Sequence, residues 1–199
     1  GIDYVMSSPG SEWGPVWEAM AQQKLSNEPG PTYLTCAHET LAVGLATGYT
    51  SITGRMQAVM LHAGVGLLQG ALGIEGALRG AIPMLVMSGE SLSFGDDPEI
   101  NPGFQWQALL NQVGGNARLL EPLVKWSQQI GSVTTMHQQI VSAGELAQRN
   151  PRAPVYVSAP IEVMMQPWSP PEDMRTPPPA PPVTATADDG AGRFAGSHY

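Results

Sequence analysis

Cys36-Ala37-His38-Glu39-Thr40 runs without a break into Leu41-Ala42-Val43-Gly44-Leu45-Ala46-Thr47-Gly48-Tyr49. The first stretch ends a short apolar strand, Tyr33-Leu34-Thr35-Cys36, and the second opens a helix. One carboxylate, Glu39, stands at the junction. The helix behind it is almost free of charge, and Gly44 and Gly48 share a face at i,i+4 spacing. Small residues there let another backbone approach. The expectation is a buried helix, covered in part by a second subunit and headed by a desolvated acid. Desolvation favours the neutral form of a carboxyl group. The plainer alternative is an acid that stabilises the helix dipole.

The flanking sequence repeats the pattern. Upstream, Ile2 to Met6 reads as a strand, Ser7-Ser8-Pro9-Gly10-Ser11 as a turn, and Glu12 to Gln23 as an amphipathic helix carrying Trp13, Val16, Trp17 and Met20. Downstream, the Glu39 helix runs to Ile52, and Gln57 to Leu61 forms a third strand that delivers His62-Ala63-Gly64-Val65-Gly66. A helix from about Leu67 to Arg79 and a strand from Ala81 to Ser88 follow. Short apolar strands alternating with helices predict an open, mostly parallel α/β sheet with helices on both faces.

Beyond it, Gly89 to Pro102 reads as a loop and Phe104 to Val113 as a helix. Arg118 to Trp126 is a mixed segment with room for a short strand before Pro122. Val133 to Asn150 is a helix and Val155 to Ser158 a last strand. One domain over residues 1–167 is expected. Residues 168–199, with Pro177-Pro178-Pro179-Ala180-Pro181-Pro182, read as a Pro-rich linker or disordered tail. The chain starts inside a strand without Met, so further sequence upstream is expected.

Composition removes several classes of function. Charged residues make up 13% of the 199, about half the usual share, which suggests surface covered by partner subunits. A formal net charge of −8 argues against a nucleic-acid groove. No run is long enough for a membrane span, and no signal peptide is visible. The single cysteine, Cys36, excludes an internal disulfide framework and fits a reducing, cytoplasmic setting.

In an open parallel sheet, ligands bind beyond the carboxyl ends of the strands. Four such ends present polar loops here: the Pro9-Gly10-Ser11 turn, Glu39, His62, and Gly89-Glu90. That convergence makes Glu39 and His62 joint candidates for proton chemistry. Gly64 to Gly70 is spaced G-x-G-x-x-x-G, and no acid closes the next strand, so a dinucleotide site is rejected. The turn still offers amides at a helix start to a polar ligand. No metal-ligand cluster is visible. Asp96, Asp97 and Glu99 lack EF-hand spacing and read as a solvated loop.

The residues also match a family. Gly1-Ile2-Asp3-Tyr4-Val5 with Pro9-Gly10-Ser11, His38-Glu39 with Gly44 and Ala46-Thr47-Gly48-Tyr49, Thr53-Gly54-Arg55, Leu61-His62-Ala63-Gly64-Val65-Gly66, and Arg79-Gly80-Ala81-Ile82-Pro83 through Ser88-Gly89-Glu90 appear in order. They resemble the pyrimidine-binding (PYR) domain of thiamine-diphosphate enzymes, in the group of acetolactate synthase and benzoylformate decarboxylase. Phe104-Gln105 and Lys125-Trp126-Ser127 resemble pieces of the acetolactate synthase type, and Ala153-Pro154-Val155-Tyr156-Val157 the closing strand.

The resemblance implies that Glu39 hydrogen-bonds the cofactor's aminopyrimidine and starts its activation. Pro9, Gly10 and Gly64 would line the cofactor. Ser11, His62 and Gln105 would face the substrate, with His62 moving a proton. The reaction implied is decarboxylation of a 2-oxo acid, with transfer or ligation of the resulting enamine as in acetolactate synthase. Simple decarboxylation of the benzoylformate or sulfopyruvate type is the alternative, and a non-catalytic scaffold or regulatory subunit a third reading. The family's Gly-Asp-Gly motif and its following Asn are missing, and the one Asp-Gly, Asp189-Gly190, lies in the polar tail. Thiamine diphosphate and its Mg²⁺ are therefore expected to need a diphosphate-binding domain or partner chain in a homo- or hetero-oligomer. FAD in a further domain is compatible with the acetolactate synthase type.

Overall fold

The computed structural model describes residues 1–90, 99–100 and 115–169. Six parallel strands form one sheet in the order β2-β1-β3-β4-β6-β5. They are β1 (Tyr4–Ser8), β2 (Thr32–Thr35), β3 (Gln57–Leu61), β4 (Met84–Glu90), β5 (Ser127–Gln129) and β6 (Pro154–Pro160). The helices are α1 (Gly14–Leu25), α2 (Glu39–Thr53), α3 (Val65–Arg79), α4 (Asn116–Leu120), α5 (Val133–Gln148) and α6 (Ile161–Met165). The doubly wound parallel sheet expected from sequence is the observed architecture.

The strands carry core on both faces, as parallel strands under helices must. On one face Met6, Val59, Leu61, Met84, Val86 and Tyr156 pack with Ala42, Val43 and Ala46 of α2 and Leu67, Ile74 and Ala77 of α3. On the other, Val5, Ala58, Met60, Leu85, Val155 and Val157 pack with Trp13 and with Ala143 and Ala147 of α5. Gln57 is fully buried at the start of β3. Its carbonyl accepts from the Asp3 and Tyr4 amides at 3.1 and 2.7 Å, and its amide donates to the Arg55 and Met56 carbonyls at 3.0 and 2.9 Å. One side chain thus ties the beginnings of the neighbouring strands β1 and β3.

Several boundaries differ from expectation. The first strand runs to Ser8, because Ser7 is buried and donates to the Met60 carbonyl at 2.9 Å. The first helix begins as a 3-10 turn, Ser11–Trp13, and becomes α-helical at Gly14, since Pro15 is tolerated only in a first turn. The fourth strand starts at Met84, because Ala81 turns at φ 52° just before it. Arg118 to Trp126 holds no strand: α4 and a 3-10 turn, Glu121–Leu123, occupy it, and β5 starts at Ser127. Lys125 closes the far end of α5, with its ammonium donating to the Leu146, Arg149 and Pro151 carbonyls at 2.8, 2.7 and 2.9 Å.

The Glu39 helix is only half covered. α2 buries Ala42, Val43, Ala46 and Thr50, while nothing approaches Gly44 or Gly48 within 4 Å of a notional Cβ. Leu41, Leu45 and Ile52 on α2 and Val65, Leu68 and Leu72 on α3 are exposed. Among the described residues no helix is long and apolar enough to cross a membrane. The expected helix Phe104 to Val113, the Asp96-Asp97 loop, Gln105 and most of the tail lie outside the described residues.

Candidate active site

The strand order reverses direction between β1 and β3, so the loops after these two strands diverge and leave a crevice. The residues that follow them are Pro9 to Trp13 and His62 to Gly64. The 3-10 turn after β1 folds Glu12 inward to full burial. Trp13, 1% exposed, is locked beneath it by an indole N–H donating to the Leu61 carbonyl at 2.8 Å.

Glu12 holds the loop after β3. One carboxylate oxygen accepts from the Ala63 amide at 2.6 Å and lies 2.8 Å from His62 Nδ1, and the other lies 2.9 Å from that nitrogen. The His62 side chain is 35% exposed and that of Glu12 wholly buried. A carboxylate at Nδ1 fixes that nitrogen as the N–H and leaves Nε2 as the working atom. The hydrogen bond to Glu12 raises the His62 pKa above its usual 6.5; burial opposes this, and the charges of Glu12 and Glu39 add to the rise.

Glu39 reaches the same space from α2. Its helix is capped by His38, whose Nδ1 accepts from the Thr40 amide at 3.2 Å, and the Thr40 hydroxyl donates to the Gln69 carbonyl of α3 at 3.1 Å. The Glu39 side chain is 15% exposed. Between it and His62 lies Gly66, where a Cβ would stand 3.0 Å from Glu39 Oε1 and 2.8 Å from His62 Cβ. Gly64 makes the turn into α3 at φ 60°, a conformation that favours glycine. At Gly10 a Cβ would stand 1.9 Å from His62 Nδ1 and 2.0 Å from Glu12 Oε2.

Of the residues singled out from sequence, Glu39, His62, Gly10 and Gly64 converge at this crevice. Pro9 is half-buried at its edge and Ser11 is exposed at the start of the 3-10 turn. Sequence reasoning missed the parts played by Glu12 and Gly66, and it read Gly89-Glu90 as a polar loop beyond the fourth strand, whereas both residues lie buried within β4. Glu12 read as the first residue of an amphipathic helix, and its partner lies fifty residues away. Only the adjacency of β1 and β3 brings them together. No group of three metal-ligating side chains occurs among the described residues.

The fold and crevice define an α/β ligand-binding domain that sets one carboxyl and one carboxylate-backed imidazole on either side of a bare glycine. The family described as "Thiamine pyrophosphate enzyme, N-terminal TPP binding domain" matches residues 1–105. Benzoylformate decarboxylase of Pseudomonas aeruginosa is 30% identical over 135 residues, covering 68% of this chain and 24% of that protein. The acetolactate synthase large subunit of Haemophilus influenzae is 29% identical over 93 residues, 47% of this chain and 15% of that one. Among solved structures, the thiamine diphosphate-dependent 4-hydroxybenzoylformate decarboxylase of Rhodococcus jostii RHA1 superposes with a TM-score of 0.67 at 27% identity, over 86% of this chain and 29% of that one. The chain belongs to the thiamine pyrophosphate enzyme family, through its N-terminal TPP-binding domain. It spans about a quarter of the length of the first of these relatives.

Proposed function

We propose that this chain is the pyrimidine-binding part of a thiamine-diphosphate enzyme that decarboxylates a 2-oxo acid. The observation that carries this reading is the placement of Glu39 and His62 on either side of Gly66. Gly66 lets Glu39 and His62 come close to its backbone: a methyl group there would stand 3.0 Å from Glu39 Oε1 and 2.8 Å from His62 Cβ. Glu39 would hold the pyrimidine by a hydrogen bond to a ring nitrogen, with Gly64 and the Pro9-Gly10 turn as neighbours. The cofactor supplies the electron sink that makes loss of carbon dioxide possible.

The chain's own residues then handle protons and exclusion of water. Glu39 would share a proton with the bound ring. His62 presents Nε2 to the substrate side and, with its pKa raised by Glu12, carries a proton there at neutral pH more often than a free imidazole does. Ser11, exposed at the start of the turn after β1, would offer its hydroxyl to a substrate carboxylate. The exposed apolar faces of α2 and α3 would be covered by the domain or chain that holds the diphosphate and its Mg²⁺.

A charged imidazole in the crevice would favour protonation and release of an aldehyde, the outcome of simple decarboxylation. Transfer to a second carbonyl, the acetolactate synthase type of outcome, is the second reading, supported by the similarity over 93 residues to the Haemophilus subunit. Incubation of the complete enzyme with thiamine diphosphate, Mg²⁺ and either benzoylformate or pyruvate separates them. Aldehyde as the sole organic product supports the first reading and a hydroxyketone the second. No release of carbon dioxide from any 2-oxo acid supports the scaffold reading.

A further inference from the structure

Strand β4 passes close to Glu12 at Gly89. A Cβ at Gly89 would stand 2.1 Å from Glu12 Cγ, 2.9 Å from its Cβ and 3.2 Å from its Cδ. Either the strand or the glutamate would have to move to admit a methyl group. The strand is held. Gly89 is buried and paired in register with Ala159 of β6. Its carbonyl accepts from Asn116 Nδ2 at 3.0 Å and from the Ser88 hydroxyl at 2.9 Å. Its neighbour Glu90, fully buried, accepts from the Asn116 amide at 3.0 Å and the Ser158 hydroxyl at 3.2 Å. Ser88 in turn lies 2.7 Å from the Tyr156 hydroxyl. The Glu12 side chain is the part that can turn, since its backbone sits in a short 3-10 turn and its carboxylate is held by the Ala63 amide and His62.

We infer that Gly89 is a positioning residue for His62, acting through Glu12: the missing side chain on β4 leaves the only course by which Glu12 reaches the imidazole. Gly10 also borders this carboxylate, since a Cβ there would meet Glu12 Oε2, so two glycines leave room for the Glu12 side chain. This inference rests on the reading of Glu12 and His62 as a working pair, not on the identity of the cofactor. The groups that face His62 are Glu12 from the turn after β1 and Glu39 from α2; α3 brings no acid in its first turn, and Glu90 on β4 is turned toward Asn116 and Ser158. Displacing Glu12 therefore leaves Glu39 as the one remaining acid there to favour imidazolium among the described residues.

The test reads His62 itself, in the complete enzyme. Cleavage after Arg55 and Arg79 yields the peptide Met56 to Arg79, in which His62 is the sole histidine. The pH dependence of its acylation by diethyl pyrocarbonate, followed by mass spectrometry, gives the imidazole's titration midpoint. The wild-type midpoint is expected above 6.5, and those of Glu12→Gln and Gly89→Ala are expected to fall together below it. Gly76→Ala, on α3 with nothing within 4 Å, is expected to leave it unmoved. A wild-type midpoint in Gly89→Ala alongside a shifted one in Glu12→Gln overturns the positioning role. An unshifted Glu12→Gln overturns the pair on which it rests, whatever the cofactor. Should Gly89→Ala fold poorly, urea denaturation in a Glu12→Ala background decides: the loss in midpoint caused by Gly89→Ala should shrink to less than half there. An equal loss in both backgrounds means that the methyl group meets the strand rather than Glu12.

Discussion

Replacing Glu12 by Gln tests the acid–imidazole pair at its buried end. The substitution keeps the shape and one acceptor and removes the charge. Glu12 is wholly buried and accepts from the Ala63 amide at 2.6 Å and from His62 Nδ1 at 2.8 Å. Hydrogen bonds to charged groups contribute about 1.5–3 kcal/mol and neutral ones about 0.5–1.5, so neutralising two of them costs on the order of 2 kcal/mol. The pH dependence carries the sharper prediction. His62 has a raised pKa, through its hydrogen bond to Glu12 first, so its contribution is present in full below its unfolded value of 6.5 and is lost as pH rises through the folded value. Above that, wild type keeps a buried carboxylate beside a neutral ring, an arrangement that costs desolvation without a counter-charge. The stability gap between wild type and Glu12→Gln should therefore be widest in mildly acidic solution and narrow with rising pH. Urea unfolding midpoints of the complete protein across that range measure it. A gap that is flat, or that widens upward, would refute the pairing.

Two further perturbations address the scaffold and the crevice. Gln57→Leu strands two backbone amides and two carbonyls at the starts of β1 and β3, and should cost about 3 kcal/mol, seen as a lowered urea midpoint with crevice geometry otherwise intact. Gly66→Ala places a methyl group 3.0 Å from Glu39 Oε1; overpacking of this kind costs about 1–3 kcal/mol, and affinity for thiamine diphosphate measured by fluorescence quenching should fall more than stability does.

Much of the fold was legible because short apolar strands and charge-poor helices alternate with clear turns. Glu39 and His62 were legible because each follows a strand directly, where a parallel sheet presents its ligands. Strand ends were less so: Ser7 and Ser8 read as turn residues, but Ser7 finds a buried acceptor in Met60 and stays in the sheet. The apolar face of α2 was read as covered in part by a second subunit, and within this chain that face is exposed. Glu12 was illegible for a topological reason. Its role depends on β1 lying next to β3, and on glycines at 10 and 89 that matter for the room they leave rather than for any group they carry.

In the function proposed above, Glu39 acts on the proton chemistry of bound thiamine diphosphate. The most direct measurement is the rate of hydrogen–deuterium exchange at C2 of the cofactor in the complete enzyme, by quenched flow and NMR, for wild type and Glu39→Gln. Loss of a positioned acid–base group predicts exchange slowed by roughly 10²–10⁴-fold with the cofactor still bound. Exchange at the wild-type rate in Glu39→Gln would contradict the assignment.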